Sequence, residues 1–172
     1  CEDPDAITAE VESRINYEGQ KVNKLERIPV RNQPAEQRVN NFEEVCYGYN
    51  EEEAKMEASR CLLCKKPKCV DGCPVGIDIP GFIERILADD KEGAAEVIAK
   101  YSTLPAVCGR VCPQESQCEA RCIRGIKGDP VAIGKLERFV GDYAINNGVK
   151  PVKPEKTNGK KVAVVGSGPA GI

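Results

Sequence analysis

The sequence predicts an all-α domain built around two cysteine-rich loops, followed by the opening of a dinucleotide-binding α/β fold. Three observations carry that expectation. Between residues 41 and 147 apolar residues recur at helical spacing, and strand signals are absent. Eight of the ten cysteines fall into two groups of four, Cys61, Cys64, Cys69 and Cys73, then Cys108, Cys112, Cys118 and Cys122. Near the end of the chain a short apolar run meets a glycine-rich loop with the spacing G-x-G-x-x-G.

Residues 1–40 are polar and charged, without sustained periodicity beyond a short helical pattern at 6–15, and Pro29 and Pro34 interrupt the rest. They read as an N-terminal arm, extended or strapped onto the domain that follows. The helical domain is expected over 41–150. Asn50 is its first helix signal, an N-cap followed by Glu51, Glu52 and Glu53, whose charges suit the positive end of a helix dipole. That helix, 51–59, leads into the first cysteine group. Pro80 sits at the start of the next, which puts Ile79, Phe82, Ile83, Ile86 and Leu87 on one face. A third helix is expected over 92–100, with Ala94, Ala95, Val97, Ile98 and Tyr101 as its apolar positions. Cys108 and Cys112 stand four apart, as do Cys118 and Cys122, so each pair suits one helix face. A last helix of about fourteen residues begins near Asp129-Pro130 and buries Val131, Ile133, Leu136, Phe139, Val140 and Tyr143.

Residues 151–160 form a proline- and lysine-rich linker, and 161–165 read as a short buried strand. Gly166, Gly168 and Gly171 then supply the fingerprint that lets backbone approach a pyrophosphate, so 161–172 read as the start of an FAD- or NAD(P)-binding domain. No second strand follows, nor an acidic residue about twenty positions on to hold a ribose. The chain therefore reads as the N-terminal piece of a larger enzyme, without its catalytic module.

Composition excludes several classes. A formal net charge of −2 gives no reason to expect a nucleic-acid partner. No apolar run approaches the ~20 residues of a membrane span. A secreted disulfide scaffold is disfavoured, because the N-terminus carries no signal-peptide pattern and helix-forming stretches replace loop-rich sequence. A reducing cytoplasm is the expected setting. With only 5% aromatic residues the apolar core is modest, and metal binding has stability to contribute.

The chemistry lies in the cysteines. The chain has no histidine, and the groups read C-x2-C-x4-C-x3-C-P and C-x3-C-P-x4-C-x3-C. Thiolate-only ligands in fours, with proline after Cys73 and Cys112, point to iron–sulfur clusters. The short loop Cys61, Cys64 and Cys69 wraps three corners of one cube, while the last cysteine of such a run often reaches the other cluster. Cys73 then joins Cys112 and Cys118, and Cys122 crosses back to the first cluster. One corner of the second cluster remains, for Cys108 or for a non-cysteine ligand; spacing alone favours Cys108. The alternative is a structural zinc-binding or subunit-docking module without redox activity. Zinc sites usually pair two C-x2-C motifs, often with histidine, and only one C-x2-C occurs here. Arg60, Lys65, Lys66 and Lys68 surround the first loop, either easing reduction of a negatively charged cluster or simply as a solvated basic surface. Cys1 and Cys46 read as a terminal residue and a buried small hydrophobe. Nothing in the helical domain suggests a site for substrate chemistry.

Residues 41–45 (NFEEV), 57–64 (EASRCLLC), 72–75 (GCPV), 109–113 (GRVCP) and 134–139 (GKLERF) resemble the N-terminal cluster domain of glutamate synthase small (beta) subunits. The same domain occurs in the large subunit of NADH-dependent ferredoxin:NADP oxidoreductase and in dihydropyrimidine dehydrogenase. The resemblance spans about residues 25–172. It implies an α-helical ferredoxin-like domain with two [4Fe-4S] clusters ahead of an FAD- and NADPH-binding module, relaying electrons between the flavin and a partner. That partner is the glutamate synthase large subunit, or a ferredoxin or flavin subunit. The resemblance also implies a side-chain amide or carboxylate as last ligand of the second cluster, which falls on Glu137 and leaves Cys108 close by but non-ligating.

Overall fold

The computed structural model describes residues 24–150 and 156–168. Seven α-helices and three 3-10 turns make up nearly all of its regular secondary structure, with one two-stranded sheet beside them. The strands are β1 (Arg31–Asn32) and β2 (Cys46–Gly48). They run antiparallel, with Arg31 opposite Gly48 and Asn32 opposite Cys46, so the register slips by one residue between the two pairs. Helix α1 (Ala35–Arg38) fills the connection. Two or three residues carry too little alternation to signal a strand, which is why a purely helical reading of 41–147 missed β2.

Helix α2 (Glu51–Ala58) begins with a full capping box. The Asn50 side chain accepts the Glu53 amide at 2.8 Å, and the Glu53 carboxylate accepts the Asn50 amide at 2.8 Å. After a loop and the short α3 (Lys68–Gly72), Asp78 caps α4 (Ile79–Leu87) by accepting the Gly81 amide. Asp90 caps α5 (Lys91–Ala99) in the same way through Gly93. Helix α6 (Pro105–Val111) precedes turns at Gln114–Ser116, Glu119–Arg121 and Ile123–Ile126. Helix α7 (Ile133–Asn146) closes the domain.

The core forms where α2, α4, α5 and α7 meet. Ile79, Phe82, Ile83 and Ile86 are almost fully buried there, together with Ala54, Ala58, Ile98, Leu136 and Val140. At ~1.5–3 kcal/mol for each large side chain, the α4 face is the strongest apolar contributor. Leu87, Tyr101, Phe139 and Tyr143 were expected inside. Leu87 is exposed, and Phe139 and Tyr143 only half-buried, because each falls at the edge of its helical stripe, while Tyr101 is exposed because α5 ends before it.

Residues 24–33 lie along this core. Ile28 is buried, its carbonyl accepts the Tyr49 hydroxyl, and its amide donates to Glu57. Arg27 reaches Glu119 and the Pro130 carbonyl. The last helix starts at Ile133, four residues later than expected, because the backbone of 129–132 is otherwise engaged. The Asp129 and Pro130 carbonyls accept Arg60, and the Ala132 amide donates to Glu57. Residues 161–165 form no strand among the described residues, and Val162, Val164 and Val165 are exposed. The helical pattern at 6–15 lies outside the described residues.

Candidate metal centres

The cysteines of the first loop converge on one hollow. Cys61, Cys64 and Cys69 line it together with Cys122, and its apolar wall is Ile79, Ile83, Val131 and Ile133. Helix α2 delivers Cys61 at its C-terminal end, α3 carries Cys69, and Cys122 closes the Glu119–Arg121 turn. Leu63 takes a left-handed conformation, φ +45°, which turns the loop back on itself. Gly72 allows α3 to lie against the next cysteine segment: a Cβ there would stand 2.6 Å from the Gln117 carbonyl oxygen. Burial raises the Cys61 thiol, and the neighbouring Cys122 and Cys64 add to it, while an N–H from Leu63 works the other way. Cys69 is pushed up to about 11 by burial, then by Cys122 and Cys61.

A second group gathers between α3, α6 and α7. Cys73 follows α3, Cys112 follows α6, Cys118 precedes the Glu119–Arg121 turn, and Glu137 lies on α7. Burial pushes Cys118 up to about 12, with Glu119, Cys73 and Glu137 contributing. Cys112 rises to about 11 through burial, then Cys108, Glu137 and Cys73. Cys108 is thus beside this group as well, its sulfur 3.9 Å from the Ser102 hydroxyl. Glu137 is 8% exposed, and its Oε1 has no hydrogen-bond partner. Burial alone lifts its carboxyl to about 7.

The crossing of α6 and α7 makes this second group possible. Gly109 faces the Arg138 backbone so closely that a Cβ would lie 2.6 Å from its nitrogen. Around the crossing, Arg110 grips both oxygens of Glu44 and both of Asp142, at 2.7–2.9 Å. Arg138 holds Asp142 and the Cys46 carbonyl. Sequence reasoning missed this cage, since its members lie on three separate segments. It also misread Arg60, taken for part of a basic loop. Arg60 is fully buried, its Nη1 2.5 Å from Glu57. Cys46, expected buried, is half-buried in β2, and Cys1 lies outside the described residues.

The donor chemistry fits iron–sulfur ligation. Two thiols in each group have raised pKa values, Cys61 and Cys69 in the first and Cys112 and Cys118 in the second; crowded thiolates repel one another, and iron is the natural counter-charge. A buried carboxylate oxygen without a donor costs roughly 1–3 kcal/mol or more unless a cation meets it. Among the described residues, no three His, Cys, Asp or Glu side chains converge tightly enough for one metal ion. Residues 38–149 match the family of dihydropyrimidine dehydrogenase domain II, 4Fe-4S cluster.

The chain belongs to this family. Within the same circle of similarity, the glutamate synthase [NADPH] small chain of Escherichia coli strain K12 is 39% identical over 149 residues, covering 86% of this chain and 32% of the relative. The putative oxidoreductase AegA of the same strain is 36% identical over 158 residues, 88% of this chain and 24% of the relative. Its NAD-dependent dihydropyrimidine dehydrogenase subunit PreT is 43% identical over 116 residues, 67% of this chain and 28% of the relative. The chain spans about a third or less of the length of these relatives. Membership in this 4Fe-4S family leaves the zinc alternative without support. Of the dinucleotide fingerprint, Gly166 has φ +106° and is exposed, Gly168 is exposed, and Gly171 lies outside the described residues. No described helix is long and apolar enough to cross a membrane.

Proposed function

We propose that this chain is the electron-relay domain of an NAD(P)H-dependent iron–sulfur flavoenzyme of the glutamate synthase small-subunit kind. In this reading Cys61, Cys64, Cys69 and Cys122 hold one [4Fe-4S] cluster. Cys73, Cys112, Cys118 and Glu137 hold a second. A bound [4Fe-4S] cluster supplies one-electron chemistry, taking up and releasing an electron without a proton-transfer partner. The observation that carries the reading is the crossing of sequence groups: Cys122 interacts with the first cysteine loop, and Cys73 with the second.

Each side chain then has a task. The thiols ionise and release protons on ligation. Ile79, Ile83, Val131 and Ile133 exclude water from the first site. Amide N–H groups of Leu63 and Glu119 hydrogen-bond the Cys61 and Cys118 sulfurs, a contact that tunes potential. Glu137 is a harder donor than thiolate, so the two sites should differ in potential. Gly166, Gly168 and Gly171 begin the FAD- and NADPH-binding module of the full-length protein, and a cytoplasmic large, ferredoxin or flavin subunit is the partner. The names of relatives, among them a glutamate synthase [NADPH] small chain, support that choice.

The test is an iron and acid-labile sulfide count on protein purified without oxygen, repeated for Glu137→Ala and Cys108→Ala. About eight irons per chain, four for each of two cubes, is the expected result. Loss of about four irons in Glu137→Ala alone assigns the last ligand; the same loss in Cys108→Ala alone transfers it. A colourless protein with about two zincs would overturn the relay.

A further inference from the structure

The face that carries the first site has a charge pattern which holding iron does not require. Residues 60–68 contain four Lys or Arg and residues 121–127 three, with no Asp or Glu in either segment, on a chain of net charge −2. Arg60 is buried against Glu57. The other six are Lys65, Lys66, Lys68, Arg121, Arg124 and Lys127, of which only Lys68 has a carboxylate partner among the described residues, Asp71 at 3.6 Å. Lys24 joins them, donating to Ser59, and its pKa is lowered by burial and then by Arg124 and Arg60. Cations are therefore gathered here without being neutralised. Lys68, Arg121 and Arg124 line the same hollow as Leu62 and Ile123, and Leu62 at 51%, Leu63 at 39% and Ile123 at 42% are exposed apolar side chains, each adjoining a cysteine of the first site in the chain.

An apolar centre with a polar rim is the anatomy of a protein interface, and a rim of one sign steers and selects a partner of the other sign. Resting on the relay reading, we infer that this face docks an acidic protein that carries a one-electron redox centre. Charge complementarity names the partner's sign. The position of Leu62, Leu63 and Ile123 beside Cys61, Cys64 and Cys122 brings such a partner against the first site rather than the second. Because the rim is exposed, its contribution lies mainly in the rate of encounter and fades with salt.

The experiment uses the cluster-loaded full-length protein and a fluorescently labelled plant-type ferredoxin, a small acidic one-electron carrier, as probe. Anisotropy gives affinity between about 50 and 200 mM salt, where the Debye length shortens. Wild type should bind, more weakly as salt rises. The K65E/K66E/K127E variant should lose at least tenfold at low salt, and K65Q/K66Q/K127Q should fall between. K100E/K150E, outside both segments, should match wild type. Equal binding by K65E/K66E/K127E would overturn the inference, as would salt-independent binding, or tighter capture of basic cytochrome c or of single-stranded RNA. Iron and sulfide counts on the same samples report separately on the relay reading, because anisotropy needs no electron transfer. An iron content equal to wild type also shows that each variant has folded.

Discussion

Replacing Gly109 by alanine probes the helix crossing on which the second centre depends. The added Cβ would meet the Arg138 nitrogen at 2.6 Å and its Cα and Cβ at 2.7 Å, where ordinary contact begins at 3.4 Å. Two of those three atoms are backbone within α7, so no side-chain rotation relieves the clash. The helices would have to part by about 0.8 Å (3.4 less 2.6) at this point. Overpacking of this sort costs ~1–3 kcal/mol, and backbone-to-backbone contact belongs in the upper half of that range. Alanine returns up to about 1 kcal/mol through better helix propensity. The net expectation is destabilisation by about 1–2 kcal/mol. The functional consequence is local. Cys108 rides on α6, Cys112 directly follows it and Glu137 lies on α7, so the second site should open while the first stays intact. Urea denaturation and iron counts on Gly109→Ala should show a lowered midpoint and a loss of about four of eight irons. Gly125→Ala is the control, since its nearest neighbour would lie at 3.6 Å, and it should match wild type in both assays. Wild-type stability with full iron in Gly109→Ala would refute the close-crossing argument.

Three further outcomes are expected. Glu57→Gln strips the counter-charge from Arg60, which is fully buried, and should cost about 3–5 kcal/mol in urea denaturation; less than about 1 kcal/mol would mean that the pair is dispensable. Glu44 is held below its ordinary 4.5 chiefly by its hydrogen bond from Arg110, so its contribution to stability is present above the unfolded pKa and lost as pH falls through the lower folded value. NMR titration should place Glu44 higher in Arg110→Gln than in wild type, by a modest amount since the pair is exposed, and identical curves would refute the ion-pair cage. Removing iron with a chelator should reduce hydrogen-exchange protection in 61–73 and 108–122, because these segments contribute only one side chain, that of Cys118, to the buried apolar core. Unchanged protection would show that the loops hold their shape unaided.

Much of the molecule was legible before any coordinates. The capping residue Asn50, the apolar stripe of α4 and the existence of α5 and α7 follow from short-range rules, because helix caps and helical periodicity act within a few residues. The cysteine spacing pointed to iron–sulfur ligation, and the habit of paired cluster loops pointed to the grouping of Cys122 with the first loop and Cys73 with the second that the packing shows. Glu137 came from resemblance, since a lone carboxylate on a helix has no spacing signature. Its orphaned oxygen is visible only once α6 and α7 are packed.

What the sequence determined by itself is therefore local: which segments coil, which loops carry the cysteines, and which glycine-rich segment follows them. The tertiary structure decided what depends on distant partners. Arg60 became a buried staple rather than a surface charge, because Glu57 and the carbonyls of 129–130 surround it. The start of α7 moved to Ile133, because the preceding amides and carbonyls were claimed by that same staple. Residues 161–165 found no sheet among the described residues, since a strand exists only where another strand accepts its hydrogen bonds. Long-range pairing of charges and backbone groups leaves no periodic trace in a single chain, and that is where packing has the last word.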